Sequence, residues 1–186
     1  MDPKNYDRLI EIYEALAAHG YREVGQEYLQ NVLDTAKQLD AYDSGRIYYY
    51  LGEYQKAYLA LDEARDKGGA DSYLYLGRAY AATGDYNYAS SVYNNYLSKQ
   101  GPNAEIYNEL GLCEMAKKEY QNALAAFQAG KQIEGNSLMQ TLCFNEIVAY
   151  EYLEDYQQAE VLMNAYLQNY PDDQTAIREQ QFLSTR

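Results

Sequence analysis

A short phrase recurs four times along the chain, and its spacing constrains the fold more than any other feature. Each copy holds a turn residue, an acidic residue and a tyrosine, followed three residues later by alanine, and the copies occupy residues 51–57, 83–89, 117–123 and 153–159. The closing alanines are 32, 34 and 36 residues apart. A period of about 34 residues is typical of a helical solenoid, in which each repeat packs mainly on its neighbours.

Composition narrows the classes of partner and site. The formal net charge of -13 argues against nucleic acid and anionic lipid, because both attract basic surfaces. Two cysteines, Cys113 and Cys143, and one histidine, His19, give no basis for a disulfide framework or a metal site, and no cofactor is expected.

Localisation is inferred from the absence of targeting signals. No run approaches the ~20 apolar residues that span a bilayer, so no membrane insertion is expected. Residues 1–4 lack a signal-peptide pattern. The sequence therefore predicts a cytoplasmic protein by default, or alternatively a soluble fragment of an exported or surface-anchored protein.

The segment from Ala70 to Gly101 shows the helical pattern of one repeat most clearly. Asp71 and Ser72 are suited to cap a first helix, whose apolar residues then recur at helical spacing. Gly84 is suited to the left-handed position that ends that helix. The same pattern predicts repeats at about residues 3–37 (degenerate), 38–69, 70–103, 104–135 and 136–171, with a capping helix at about 172–183, all within one domain.

These residues resemble the tetratricopeptide repeat family. Within one repeat the match runs in order through Tyr73, Leu76-Gly77, Tyr80, Gly84-Asp85-Tyr86, Ala89 and Tyr93. Departures in other repeats include Lys118 and Glu154 at the turn, Glu114 at an aromatic position and Ile147 in place of glycine. The resemblance implies an all-α fold, a right-handed α-solenoid of antiparallel helix pairs with about five units and a C-terminal capping helix.

Small residues at repeated positions have a physical explanation in this fold. Gly77 and Gly111 lack side chains, so we expect the paired helices to approach closely there. The recurring alanines, such as Ala89, are expected to do the same from the second helix, while Tyr93 and Phe127 fill the space between helices. The repeat pattern thus assigns many of the 24 tyrosines to core and turn positions.

The family resemblance implies that the first helix of each pair lines a concave groove. Projection at helical spacing then places a set of side chains in this groove, including Leu74, Met115, Val148 and Glu151. The candidate protein-binding residues are Tyr42, Arg46, Tyr49, Tyr50, Tyr75, Arg78, Asn108, Leu112, Asn145 and Tyr152.

Arg46 and Arg78 occupy equivalent places after the packing glycine of adjacent repeats. Together with the nearby tyrosines they could hold a carboxylate or backbone carbonyls of a partner, because arginine and tyrosine are favoured in binding hot spots. The alternative is that both arginines pair with local carboxylates such as Asp43 or Glu105.

The function predicted from these features is a non-catalytic protein–protein interaction module that binds a peptide or protein segment in the groove. The alternative is an assembly component that docks or self-associates through its ends or convex face, and the chain is expected to be a monomer or to self-associate weakly. No sequence motif of an active site is present. Some family members hold a chaperone's C-terminal carboxylate, but Glu105 and Glu109 at the corresponding places would repel it, so no such binding is expected.

Overall fold

The structure is a computed structural model that describes residues 6–36, 39–65 and 69–186. The predicted starts of the first repeat at about Pro3 and of the second repeat at about Gln38 lie outside these residues. The described residues form eleven α-helices and no strand, which confirms the all-α fold. The helices are α1 (Tyr6–Ala18), α2 (Arg22–Thr35), α3 (Ala41–Leu51), α4 (Tyr54–Ala64), α5 (Gly69–Ala82), α6 (Tyr86–Gln100), α7 (Ala104–Ala116), α8 (Tyr120–Lys131), α9 (Met139–Tyr152), α10 (Tyr156–Asn169) and α11 (Gln174–Leu183).

The chain divides into two compact units, residues 1–85 and residues 86–186. In the first unit each helix from α1 to α4 packs against its successor. Its N-terminal core is formed by Leu9, Ile10, Tyr13, Leu29 and Ile47, all of which are buried. Apolar residues spaced three or four apart produce this arrangement, because one face of each helix must leave water.

The second unit, α6 to α11, is built in the same way. Each helix again packs against the next one in sequence. One buried cluster centres on Phe127 and Leu142, and a second joins Ile147, Met163 and Leu183. The second cluster includes residues of α9, α10 and α11, so the last helix shares a core with both helices before it.

The repeated phrase forms the turn between paired helices. Gly52 and Gly84 adopt left-handed backbone conformations with φ of 78° and 84°, which confirms the role predicted for Gly84. Lys118 and Glu154 stand at the same place and adopt the same conformation, with φ of 64° and 60°. The turn geometry is therefore kept even where the sequence lacks glycine.

Close helix packing explains the recurring small residues. A Cβ at Gly111 would overlap the ring of Phe127, and one at Gly45 would overlap the side chain of Leu61. The recurring alanines of the phrase are fully buried: Ala57, Ala89, Ala123 and Ala159. These positions accept no larger side chain without displacing a core residue.

The start of α5 differs from the sequence prediction. The helix begins at Gly69, so Asp71 lies in its first turn and Ser72 is a buried residue whose Oγ donates to the carbonyl oxygen of Ala64 at 3.3 Å. The predicted cap was wrong because α5 begins before Asp71, and Ser72 bonds to α4 instead.

The helix α11 begins directly after Asp173. The carboxylate of Asp173 accepts hydrogen bonds from the N–H groups of Thr175 and Ala176 and so caps this helix.

Candidate binding surfaces

The candidate residues fall into two groups, one in each unit. Tyr42, Arg46, Tyr49 and Tyr50 lie on α3, and Tyr75 and Arg78 lie on α5, all in the first unit. Asn108 and Leu112 lie on α7, and Asn145 and Tyr152 lie on α9, in the second unit.

Arg46 is an internal ion-pairing residue and presents little surface. Only 6% of it is exposed, its Nη1 donates to Asp7 Oδ1 at 2.6 Å, and its Nη2 donates to Asp43 Oδ1 at 2.5 Å. The guanidinium also lies over the ring of Tyr42, 4.2 Å from the centroid. Burial alone would lower the pKa of Arg46, but the bonds to Asp43 and Asp7 raise it above its ordinary value. The predicted pairing with Asp43 is confirmed.

The pKa of Asp43 is also raised, but for a different reason. Burial raises the pKa of its carboxyl above the ordinary value, and the hydrogen bond and charge of Arg46 offset only part of that rise. Arg46 forms ion pairs with Asp43 on its own helix and with Asp7 on α1. The ion pair with Asp7 links α3 to α1.

Four tyrosines form a cluster beside this ion pair, here called the tyrosine cluster: Tyr13, Tyr49, Tyr50 and Tyr75. The ring of Tyr50 lies 4.9 Å from that of Tyr13 and 5.8 Å from that of Tyr75, and the ring of Tyr49 lies 5.6 Å from that of Tyr75. The hydroxyl oxygens of Tyr50 and Tyr75 are 3.0 Å apart, and the Tyr50 hydroxyl also bonds to the carboxylate of Glu14. These tilted and edge-on contacts stabilise packing between α1, α3 and α5.

The hydroxyls of Tyr42, Tyr50 and Tyr75 stay neutral at physiological pH. Burial raises the pKa of Tyr50, and the bond to Glu14 raises it further. Burial also raises the pKa of Tyr42 and Tyr75 above their ordinary values. Each hydroxyl is thus a donor as well as an acceptor, but the donors of Tyr42 and Tyr50 already point at Asp71 and Glu14.

Arg78 is half-buried and lies 5.9 Å from the ring centroid of Tyr75. The two arginines that were predicted to be equivalent thus have different surroundings. The ion-pair partners of Arg46 include Asp7 on α1, which was not among the residues predicted from the sequence. The pattern gave no signal for it, because α1 belongs to the degenerate first repeat.

The second unit contains a groove between α7 and α9, here called the α7–α9 groove. Its volume is about 410 Å³. The lining residues come from α7, the turn after it, α8 and α9: Leu112, Met115, Ala116, Lys118, Tyr120, Phe127, Asn145, Val148 and Tyr152. Leu112 is 43% exposed and Tyr152 is 56% exposed, so two large apolar side chains face solvent at this site.

Contacts within the unit hold the walls of this groove in place. The ring of Tyr152 lies 5.0 Å from that of Tyr120 on α8. Asn145 Nδ2 on α9 donates to Asn108 Oδ1 on α7 at 2.9 Å. Asn108 is buried, contrary to its projection onto an open face, because it serves this bond between helices. Leu74 in the first unit is likewise buried rather than exposed.

No group of His, Cys, Asp and Glu in residues 6–36, 39–65 and 69–186 is arranged to hold a metal ion. Burial raises the pKa of the Cys113 thiol to about 12, so this thiol stays protonated and is a poor nucleophile. Every helix within those ranges is too short or too polar to cross a bilayer.

Comparison with known protein families gives one match. The sequence model of the tetratricopeptide repeat matches residues 42–89 and 76–136, which together cover just over half of the chain. No curated protein has significant sequence similarity to the chain.

Solved structures of the same fold resemble the chain over nearly its whole length. A thermophilic tetratricopeptide repeat protein from Thermus thermophilus superimposes with a TM-score of 0.72 at 16% identity, covering 97% of this chain and 100% of that one. One from Parabacteroides merdae gives a TM-score of 0.67 at 18% identity, covering 96% and 72%.

A third solved structure is a complex. The second such domain of the human RPAP3 protein, bound to an HSP70 peptide, gives a TM-score of 0.57 at 17% identity, covering 63% of this chain and 97% of that one. At these identities the likeness concerns the fold. Together with the matched repeats, it shows that the chain is an α-solenoid and belongs to the tetratricopeptide repeat family, whose members are protein-interaction modules.

Proposed function

We propose that the chain is a non-catalytic interaction module that binds an apolar segment of another protein in the α7–α9 groove. The observation that carries the proposal is the exposure of Leu112 and Tyr152 on the walls of a groove of about 410 Å³. Exposed apolar side chains that share a concave site are typical of a surface that a partner covers.

The polar groups of the groove suit an extended or helical peptide. The bond from Asn145 to Asn108 uses one amide hydrogen of Asn145 and leaves its side-chain oxygen as an acceptor for a partner's N–H. The ring of Tyr120 packs against the ring of Tyr152 and restricts its rotamers. Tyr152 therefore loses little conformational entropy when a partner packs on it.

The charge of the unit favours a basic partner. Residues 86–186 contain thirteen Asp and Glu residues against six Lys and Arg residues. A segment with apolar residues for the groove and lysine or arginine beside them would therefore be attracted during encounter, and an acidic one would be repelled.

The arginine-centred part of the predicted site is less suited to this role. Arg46 already binds Asp7 and Asp43, and a partner carboxylate would have to displace both. We therefore propose that Arg46 stabilises the first unit, and that Tyr42, Tyr49, Tyr50 and Tyr75 serve chiefly in packing. The prediction from the sequence that Arg78, which is half-buried, contacts a partner stays a prediction.

Binding of a chaperone's C-terminal carboxylate is not proposed for this chain. The human RPAP3 domain of similar fold is bound to an HSP70 peptide, but that contact belongs to that protein. Here Glu105 and Glu109 occupy the places expected to face such a carboxylate, and Arg46 is engaged within the fold. Both features act against an acidic tail.

The test is a selection of short random peptides displayed on phage against the wild-type protein, followed by measurement of Kd for the selected peptides by fluorescence anisotropy. We expect apolar peptides with basic residues. In the variant Leu112→Asp/Tyr152→Asp their affinity should fall about tenfold or more, since exposed aromatic anchors commonly contribute more than 1 kcal/mol to binding.

The matched control is Val161→Asp on α10. Val161 is 58% exposed, close to the 56% of Tyr152, but it does not line the groove. This variant should bind as the wild type does. Equal affinity of the selected peptides for the groove variant and the wild type would reject the site, and loss of binding in Arg78→Glu alone would transfer it to the first unit.

A further inference from the structure

The interface of the last helix contains two carboxyl groups that no cation neutralises within the described residues. Glu151 on α9 lies four residues after the buried Ile147, and Glu179 on α11 lies between the buried Ala176 and Leu183. At a helical spacing of three and four residues, each glutamate shares the face that its helix packs into the common core. Two acidic residues thus meet in a mainly apolar interface.

When both carboxyl groups are ionised, neither can donate a hydrogen bond to the other. Oε1 of Glu151 is buried and accepts no hydrogen bond from a donor among the described residues, and the side chain that interacts with Glu151 is the carboxyl of Glu179. A carboxylate oxygen only accepts hydrogen bonds, so two carboxylates cannot satisfy each other. One proton would change this, because a protonated carboxyl donates to its ionised neighbour.

The other groups that hold α11 are paired. At its start, the hydroxyl of Tyr166 donates to Asp173 Oδ2 at 2.7 Å, and at its end Arg186 lies over the rings of Tyr156 and Phe182. The buried cluster of Ala176 and Leu183 with α9 and α10 supplies the apolar contact. The glutamate pair is therefore the unsatisfied element of this interface within the described part of the chain.

We propose that Glu151 and Glu179 form a proton-dependent latch that holds α11 on α9 when one proton is shared between them and releases it when both are ionised. Release would uncover the apolar faces of α9 and α10 that α11 covers, including Ile147 and Met163. The latch would thus link the exposure of this end of the second unit to pH.

The electrostatics place the transition near neutrality. Burial raises the pKa of Glu151 to about 7, and the charge of Glu179 and the bond to it raise it too. Among the charged groups of the described residues around it, only Glu179 contributes to this shift. Lys131 on α8, Asp155 at the N-terminus of α10, Glu160 on α10 and Arg178 on α11 do not contribute. An acid whose pKa is raised in the closed state favours closure below that pKa and loses this contribution as the pH rises through it.

Neighbouring groups titrate outside this window. Bonds from Tyr166 and the backbone lower the pKa of Asp173 below its ordinary value, so its contribution is lost only in stronger acid. Burial and the bond to Asp173 raise the pKa of Tyr166 to about 12. Neither group changes charge between pH 5 and pH 7.5, where the latch is expected to act.

The test is amide hydrogen exchange of α11 measured by NMR, corrected for the intrinsic pH dependence of exchange. In the wild type we expect the opening constant of α11 to rise about tenfold or more between pH 5 and pH 7.5, since one proton released on opening gives at most tenfold per pH unit. Glu151→Gln and Glu179→Gln should each remove this rise, because the glutamine amide can donate to the remaining carboxylate at any pH.

Two internal references make the result decisive. The first reference is the set of α7 amides, which report global unfolding of the unit. The second is the variant Glu134→Gln, which changes an exposed glutamate that lies outside this interface. We expect α7 to lack the pH-dependent opening and Glu134→Gln to behave as the wild type. A flat opening constant for wild-type α11, the same rise in α7, or an unchanged rise in Glu151→Gln would overturn the proposal.

Discussion

Lys118 and Glu154 hold a left-handed backbone conformation that glycine holds at two other turns of the repeat. An L-residue with a side chain adopts this conformation at a cost of about 1–2 kcal/mol, because Cβ approaches the following carbonyl oxygen. The turn is kept because Ala123 and Ala159, three residues after its tyrosine, are fully buried and fix the second helix. Packing of the element therefore overrides the preference of the residue.

Replacing Lys118 by glycine should stabilise the protein. We expect the free energy of unfolding to rise by about 0.5–1 kcal/mol, as the relief of strain at φ of 64° exceeds the added entropy of glycine in the unfolded chain. Urea denaturation of wild type and variant measures the change. Lys118→Ala keeps the strained Cβ and removes only the charge, so an equal gain in that control would assign the effect to electrostatics instead.

For Arg46, the sequence predicted one of its two ion-pair partners but not the other. Its pairing with Asp43 follows from a spacing of three residues on one helix, and the sequence predicted it as one of two alternatives. The second partner, Asp7, lies 39 residues away on a helix of the degenerate repeat. Only the packing of α1 on its neighbours brings Asp7 to the guanidinium, so no local pattern could identify it.

At the scale of helices, the contact between Gly111 and Phe127 sets how closely α7 and α8 approach. Gly111→Ala would normally favour a helix by about 1 kcal/mol, but here the added Cβ meets a fully buried ring. We expect a net loss of about 1–3 kcal/mol in the free energy of unfolding, measured by urea denaturation.

A double-mutant cycle separates the clash from other effects of that substitution. In a Phe127→Leu background, the smaller side chain leaves room for the Cβ, so Gly111→Ala should cost less than in the wild type. An identical cost in both backgrounds would contradict the proposed clash. The recurrence of glycine in the sequence predicted this close approach. The structure identifies the side chain that packs against the glycine, which is Phe127 at Gly111.

At the scale of the whole molecule, charge bears on whether copies associate. A net charge of -13 on 186 residues produces mutual repulsion between copies, which opposes self-association through the ends or convex face. We expect a monomer of 21.4 kDa in light scattering at physiological salt over a wide range of protein concentration. A mass that rises with concentration would favour the alternative role as an assembly component.

The sequence by itself determined the helical class, the repeat period and the four turns that carry the repeated phrase. These features follow from the local spacing of apolar and small residues, and the same spacing recurs in each copy of the phrase. Tertiary structure decided which candidate side chains are exposed. Asn108 and Arg46 are buried because they bond to partners on other helices, whereas Leu112 and Tyr152 stay in contact with water at a groove. Exposure depends on residues distant in sequence, and helical periodicity carries no information about them.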